Sequence, residues 1–232
     1  MKIKIVTFYF LIFYYLFQYQ SYSADRVTGK YDFKDFNVVE VSNGILLNIT
    51  QSASYSIEAN ADEKDFAHLK VDKEGTRLKI YIDKNNYRKH GDINIDIKMP
   101  SLTGLDLSGG SKGKVEMDVM DNFNCELSGG AELLGTLSCE DIKTEISGGS
   151  SVNLSGKGNN LSADASGGSI FHLKDFTVKN VDTDLSGGSR LEIKMNGTLN
   201  VDASGGSRVV YYGNTKVGNT DFSGGSGISK GD

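Results

Sequence analysis

The chain has 232 residues and a formal net charge of −5, from 30 acidic and 25 basic side chains. An acidic balance with no polybasic run argues against a nucleic-acid ligand, which would want a basic face. With one Pro, no Trp and 28 Gly, the glycine excess falls at regularly spaced corners and so marks turns, not disorder.

Residues 1–23 open with Lys2 and Lys4, then an apolar run from Ile5 to Phe17, then small residues up to Ser23 and Ala24. This order predicts a secretory signal peptide cleaved between Ser23 and Ala24. Gln18, Gln20 and Ser21 stop the run short of the roughly 20 apolar residues a membrane span needs. The mature chain is therefore expected to be exported, to the periplasm, the cell surface or the medium, with no stable membrane span.

Residues 24–100 read as irregular β-structure. Stretches 38–41, 45–49, 78–82 and 93–99 alternate partially, with turn signals at Asn43-Gly44, Glu74-Gly75 and His90-Gly91. Residues 62–70 read as a short helix or loop. Glu40-Val41-Ser42-Asn43-Gly44, followed by Leu47 and Ile49, is a worn copy of a unit that returns later. The segment is expected to form outer coils or a cap of one continuous fold with residues 101–232.

From residue 101 a tripeptide organises the chain. Ser-Gly-Gly begins at Ser108, Ser128, Ser147, Ser166, Ser186, Ser204 and Ser223, in steps of 20, 19, 19, 20, 18 and 19 residues. A fixed period of this size signals a solenoid. One residue before each Ser is apolar, from Leu107 through Ala165 to Phe222. Two before it is an acid in every copy: Asp106, Glu126, Glu145, Asp164, Asp184, Asp202, Asp221. Such alternation is a strand with one buried face, acids outward. Alternation resumes after the glycines, which turn the corner at positive φ. One period holds too few apolar side chains to fold alone, so periods must stack. The pattern predicts an all-β, single-stranded parallel β-helix (a β-solenoid) of about 19–20 residues per coil, right-handed because parallel crossovers nearly always are.

Candidate chemistry is sparse. The seven acids would form a ladder, which reads first as a solvated face that blocks sideways aggregation and second as weak ligands for a divalent cation. His68, His90 and His172 are isolated in sequence, and no Cys/His metal spacing or cofactor motif occurs. Cys125 and Cys139 read equally as core residues or a disulfide. Seven equivalent serines without a nearby base do not make a nucleophile. Leu134, Ile170 and Val210 point outward and suggest an apolar patch.

Several stretches resemble a known family. The Phe36 to Ile49 unit, the step Ile95-Asp96-Ile97-Lys98-Met99-Pro100, the Ser-Gly-Gly coils, Tyr212-Gly213 and the final Ser223-Gly224-Gly225-Ser226 are similar to the bacterial head GIN domain, labelled an auto-transporter adhesin. The resemblance implies a right-handed β-helix on an exported protein and brings no catalytic residue or cofactor. The expected role is structural or binding, at the cell envelope, toward a cell-surface glycan or protein. The alternatives are a polysaccharide-active β-helix enzyme and a Ca²⁺-dependent carbohydrate-binding module.

Overall fold

The computed structural model describes residues 26–83 and 87–232. The signal-peptide segment 1–23 and its cleavage residues Ser23 and Ala24 lie outside the described residues. In chain order the elements are β1 (Arg26–Tyr31), β2 (Val38–Val41), β3 (Leu46–Gln51), β4 (Ser56–Asp62), α1 (Glu63–His68), β5 (Leu69–Glu74), β6 (Arg77–Ile82), β7 (Asn94–Met99) and β8 (Gly104–Ser108). They continue as β9 (Lys112–Ser128), β10 (Glu132–Ile146), β11 (Ser151–Lys157), β12 (Asn160–Ala165), β13 (Ile170–Val178) and β14 (Asn180–Leu185). The last are β15 (Arg190–Met195), β16 (Thr198–Ala203), β17 (Arg208–Tyr212), β18 (Lys216–Phe222) and β19 (Gly227–Lys230).

The regular half is a β-solenoid of about six turns. Strands before the corners stack in parallel as one wall: β8, the far half of β9, the far half of β10, β12, β14, β16 and β18. Strands after the corners stack as a second wall through β11, β13, β15, β17 and β19. Register joins like to like. Leu107, Leu127, Ile146, Ala165, Leu185 and Ala203 form one inner column, and all six are buried. Leu133, Val152, Phe171, Leu191 and Val209 form another on the second wall, also buried. Each such side chain contributes about 1.5–3 kcal/mol by leaving water, and it can do so only because a neighbouring coil covers it.

The corners explain the tripeptide. At Ser186 the following Gly187 and Gly188 have φ of +64° and +83°, a region an L side chain enters only at a cost. The two glycines differ in their surroundings. A Cβ on Gly187 would lie 2.9 Å from the backbone N of Gly167 in the preceding coil, whereas one on Gly188 would meet nothing within 4 Å. The next residue closes the turn. Ser111, Ser150, Ser169, Ser189, Ser207 and Ser226 each donate an Oγ hydrogen bond of 2.7–2.8 Å to the carbonyl of the Ser that begins the same tripeptide. Ala131 is the one member of this column without a hydroxyl.

The N-terminal segment joins the stack in an order the sequence does not suggest. β2 lies between β6 and β8, and β3 between β7 and β9, all parallel. The coil made by residues 77–99 thus sits outside the coil made by residues 38–51, although it follows it in the chain. Asn43 (φ +70°) and Gly44 (φ +69°) make a corner in line with the others. The outer edge is closed by antiparallel strands, β5 on β6, β4 on β7 and β1 on β4, with α1 over β4 and β1. Glu74-Gly75 does turn a hairpin, with Gly75 at φ +59°, so β5 returns on β6 instead of starting a coil.

Candidate functional site

The acid wall is the most ordered surface. Register places Glu40, Asp106, Glu126, Glu145, Asp164, Asp184, Asp202 and Asp221 in one outward column. The structure therefore adds Glu40 to the seven acids read from the tripeptide. Stacked strands are about 4.8 Å apart, and a like-charged pair at about 4 Å in water costs about 1 kcal/mol. The start of the column is partly neutralised, Glu126 having no ion pair among the described residues. Arg77 pairs with Asp106 and reaches Glu40 at 3.3 Å, and Lys143 pairs with Glu145 at 2.7 Å. Beyond that, Asp164, Asp184, Asp202 and Asp221 form no ion pair among the described residues. Asp164 has its pKa raised, chiefly by burial; a backbone hydrogen bond from Asp184 opposes the rise, and the charges of Glu145 and Asp184 add to it.

An amide column flanks the acids. Asn180 donates to Asn160 at 3.0 Å, and Asn160 donates to Asp141 at 2.7 Å. One column nearer the acids, Asn200 donates to Asp182 at 2.6 Å. Amides can stack on themselves because each is donor and acceptor; carboxylates cannot. Two open grooves follow the wall. One is lined by Glu126, Glu145, Asp164 and Asp184 with Ser147 and Ser166. The other is lined by Asp164, Asp182, Asp184, Asp202 and Asp221 with Asn200. Among the described residues no three His, Cys, Asp or Glu side chains converge as a metal-binding group; the column supplies one carboxylate per coil.

The second wall is chemically mixed. Arg190 pairs with Glu192 at 2.5 Å, His172 lies 3.9 Å from Glu192, and Lys174 sits 4.4 Å from the Tyr212 ring. The expected apolar patch does not form. Leu134 is exposed, but its column continues through Asn153, His172, Glu192 and Val210, and Ile170 belongs to a different column beside Arg190. The three apolar residues are separated by charged and polar neighbours.

Sequence spacing missed one cluster. His68 and His90 are not isolated: His68 stacks on Tyr87 at 3.8 Å, and His90 Nδ1 lies 3.0 Å from Tyr87 Oη. Beneath them Asp65 is fully buried. It accepts hydrogen bonds from Tyr87 Oη (2.7 Å), His90 N (2.9 Å) and Gly91 N (2.8 Å). Burial pushes its carboxyl up, but those donors and the nearby His90 together outweigh it, and the pKa is lowered. Tyr87 is pushed up to about 12, by burial and by its bond to Asp65. The arrangement fastens residues 87–91 to α1. The two cysteines are free and buried. Burial raises both thiols, that of Cys139 to about 12, so neither is primed as a nucleophile.

Against known proteins, a family described as "Putative auto-transporter adhesin, head GIN domain" matches residues 35–215. Among solved structures the chain is similar to a putative adhesin from Bacteroides fragilis, at 19% identity and a TM-score of 0.84, over 90% of this chain and 98% of that one. A putative lipid binding protein from Parabacteroides distasonis matches at 14% identity and a TM-score of 0.69 over the same shares. A putative adhesin from Parabacteroides merdae matches at 17% and 0.68, again over 90% and 98%. At these identities the structural likeness concerns the fold. No curated protein matches the chain.

Proposed function

This chain belongs to the head GIN domain family, and from that premise we propose that it is an exported, non-catalytic binding protein of the cell envelope that uses the acid wall to hold a surface glycan or protein. The family and its adhesin-described structural neighbours support an adhesin-like role. One observation carries the choice of wall: carboxylate, amide and hydroxyl columns repeat in register along it, at the strand spacing of about 4.8 Å. A periodic, open surface of hydrogen-bonding groups suits an extended, repeating partner better than a small substrate, which calls for an enclosing pocket. Hydrolysis of a glycoside would need one carboxylic acid set apart from its partner in pKa. Asp164 is set apart in that sense, raised by burial, but it lines an open groove and not the enclosing pocket that a small substrate calls for.

Among the described residues no helix is long and apolar enough to cross a membrane. Export rests on the predicted leader and on the family. The test is a glycan array and a pull-down from envelope extracts with the purified chain, beside a variant carrying Glu145→Gln, Asp164→Asn and Asp184→Asn. Retention that the triple variant loses supports the reading. Retention indifferent to the variant moves the site to another wall. Release of reducing sugar from a bound polysaccharide overturns the non-catalytic assignment.

A further inference from the structure

The two ends of the coil stack are finished differently. At the N-terminal end, antiparallel strands cover the outer coil. At the other end, β18 pairs only with β16, and β19 only with β17, among the described residues. All seven residues of β18 are exposed. Two of them occupy the core's own columns. Val217 lies over Leu199 and Phe222 over Ala203. Yet Val217 is 40% and Phe222 37% exposed, against 0% and 1% for the residues they cover. An apolar interior thus meets water beside a strand edge with free N–H and C=O groups, a template for strand addition.

We propose that this end is a self-association surface, and that β18 pairs antiparallel with β18 of a second copy about a two-fold axis. At the N-terminal end β4 and β5 already pair with the edge of the outer coil and cover its interior, so the coil edge that matches this one is the second copy's own. That makes the contact isologous, and a two-fold axis across an edge makes the paired strands antiparallel.

The pattern of β18 fits that symmetry. The ladder from β16 slips between Leu199 and Val201, so Gly218 and Asn219 together oppose Asn200. The strand then reads Lys216 outward, Val217 inward, Gly218 and Asn219 at the slip, Thr220 inward and Asp221 outward. This order is palindromic in facing and opposite in charge. An axis between Gly218 and Asn219 sets Lys216 against Asp221 of the second copy, and Val217 against Thr220, twice each. Over residues 216–221 each inward residue meets an inward one, and both outward pairs unite opposite charges. The same pairing carries Val217 and Phe222 under the second copy's end coil.

The experiment is sedimentation of the purified chain across concentration, with Lys216→Glu, Asp221→Lys and the double variant, each checked for an unchanged β-sheet spectrum. The expected result is twice the mass of one chain for the parent. Each single reversal should weaken association about tenfold, since two favourable cross-strand pairs become like-charged, and the double reversal should restore it. Mixing Lys216→Cys with Asp221→Cys proteins should give a disulfide-linked pair faster than either variant alone, a readout that survives if a charge variant folds poorly. A parent that stays monomeric at high concentration overturns the proposal. So does a dimer indifferent to either reversal, or one the double variant fails to restore.

Discussion

The corner glycines offer a sharp comparison between adjacent residues of one chemical type. Take Gly187→Ala and Gly188→Ala. Both positions have positive φ, so each substitution costs about 1–2 kcal/mol for the left-handed backbone. Each recovers about 0.4–1 kcal/mol by restricting the unfolded chain. For Gly188 the sum ends there, at about 1 kcal/mol, because an added methyl meets nothing within 4 Å. For Gly187 the methyl would stand 2.9 Å from Gly167 N and 3.4 Å from its Cα. Those are backbone atoms, so no rotamer relieves the contact and the coils must part. The bonds on either side, Ser186 N to Ala165 O at 2.8 Å and Arg190 N to Ser169 O at 3.0 Å, would stretch, and weakening one or two adds about 1 kcal/mol each. Gly187→Ala should therefore cost about 2–3 kcal/mol, roughly 1–2 more than its neighbour. Urea unfolding with equal slopes for parent and variants measures the difference. Equal losses, or a larger loss at Gly188, would refute the view that coil-to-coil approach dictates the first glycine and backbone conformation alone the second.

Ala131→Ser should stabilise the chain by about 1 kcal/mol by supplying the missing Oγ bond to Ser128 O, and Ser169→Ala should lose about as much; thermal melts read both. Asp65→Asn should cost about 2–3 kcal/mol at pH 7, since a charged acceptor of three hydrogen bonds is lost. Because the Asp65 pKa is lowered on folding, its contribution is complete above the unfolded value near 3.9 and fades as pH falls through the folded one, so parent and variant should converge in acid. Asp164 behaves oppositely. Its pKa is raised, so the ionised form opposes folding at neutral pH and protonation relieves it; Asp164→Asn should melt at or above the parent temperature at pH 7, with the gap narrowing as pH drops. A clear loss of stability in Asp164→Asn at pH 7 would contradict the burial and repulsion assigned to it.

The regular half was legible because its information is repeated. Acid, apolar residue and Ser-Gly-Gly recur at fixed offsets, and parallel stacking turns a sequence offset directly into a spatial column, from Asp106 to Asp221 and from Leu107 to Ala203. The closing serine was equally visible, six times of seven, but its role depends on a hydroxyl reaching a carbonyl three residues back, which alternation does not encode. In the N-terminal half the strands at 38–41, 45–49, 78–82 and 93–99 and the short helix within 62–70 were legible, but the order in which they stack was not. Nothing in residues 69–82 distinguishes a strand that returns antiparallel from one that begins a coil, apart from the tightness of the Gly75 turn. The cluster around Asp65 joins residues 22 to 26 positions apart in sequence, and no period points to it. The apolar patch failed for a related reason. Leu134, Ile170 and Val210 share an outward direction, but adjacency on a solenoid needs the same or neighbouring column and consecutive coils.

Parallel stacking also sets a constraint on what a repeat can carry. Any residue fixed in the motif is placed on its own copies, so a repeated charge repels itself through the whole rod. The chain meets this in two ways. At the first and third regular acids it brings a cation, Arg77 or Lys143, and in the flanking column it uses amides, which bond to one another down the stack. Among the described residues Asp164, Asp184, Asp202 and Asp221 have neither, and the pKa of Asp164 is raised, first by burial and further by the charges of Glu145 and Asp184. Carboxylates stacked on their own copies without a paired cation are best explained by what lies outside the coil: water, which a charged wall keeps in place against sideways sheet pairing, or the partner that the wall is proposed to hold. The two differ in what replaces the acids. Solvation is served by lysines in the same column as well as by aspartates, whereas recognition depends on the sign of the charge.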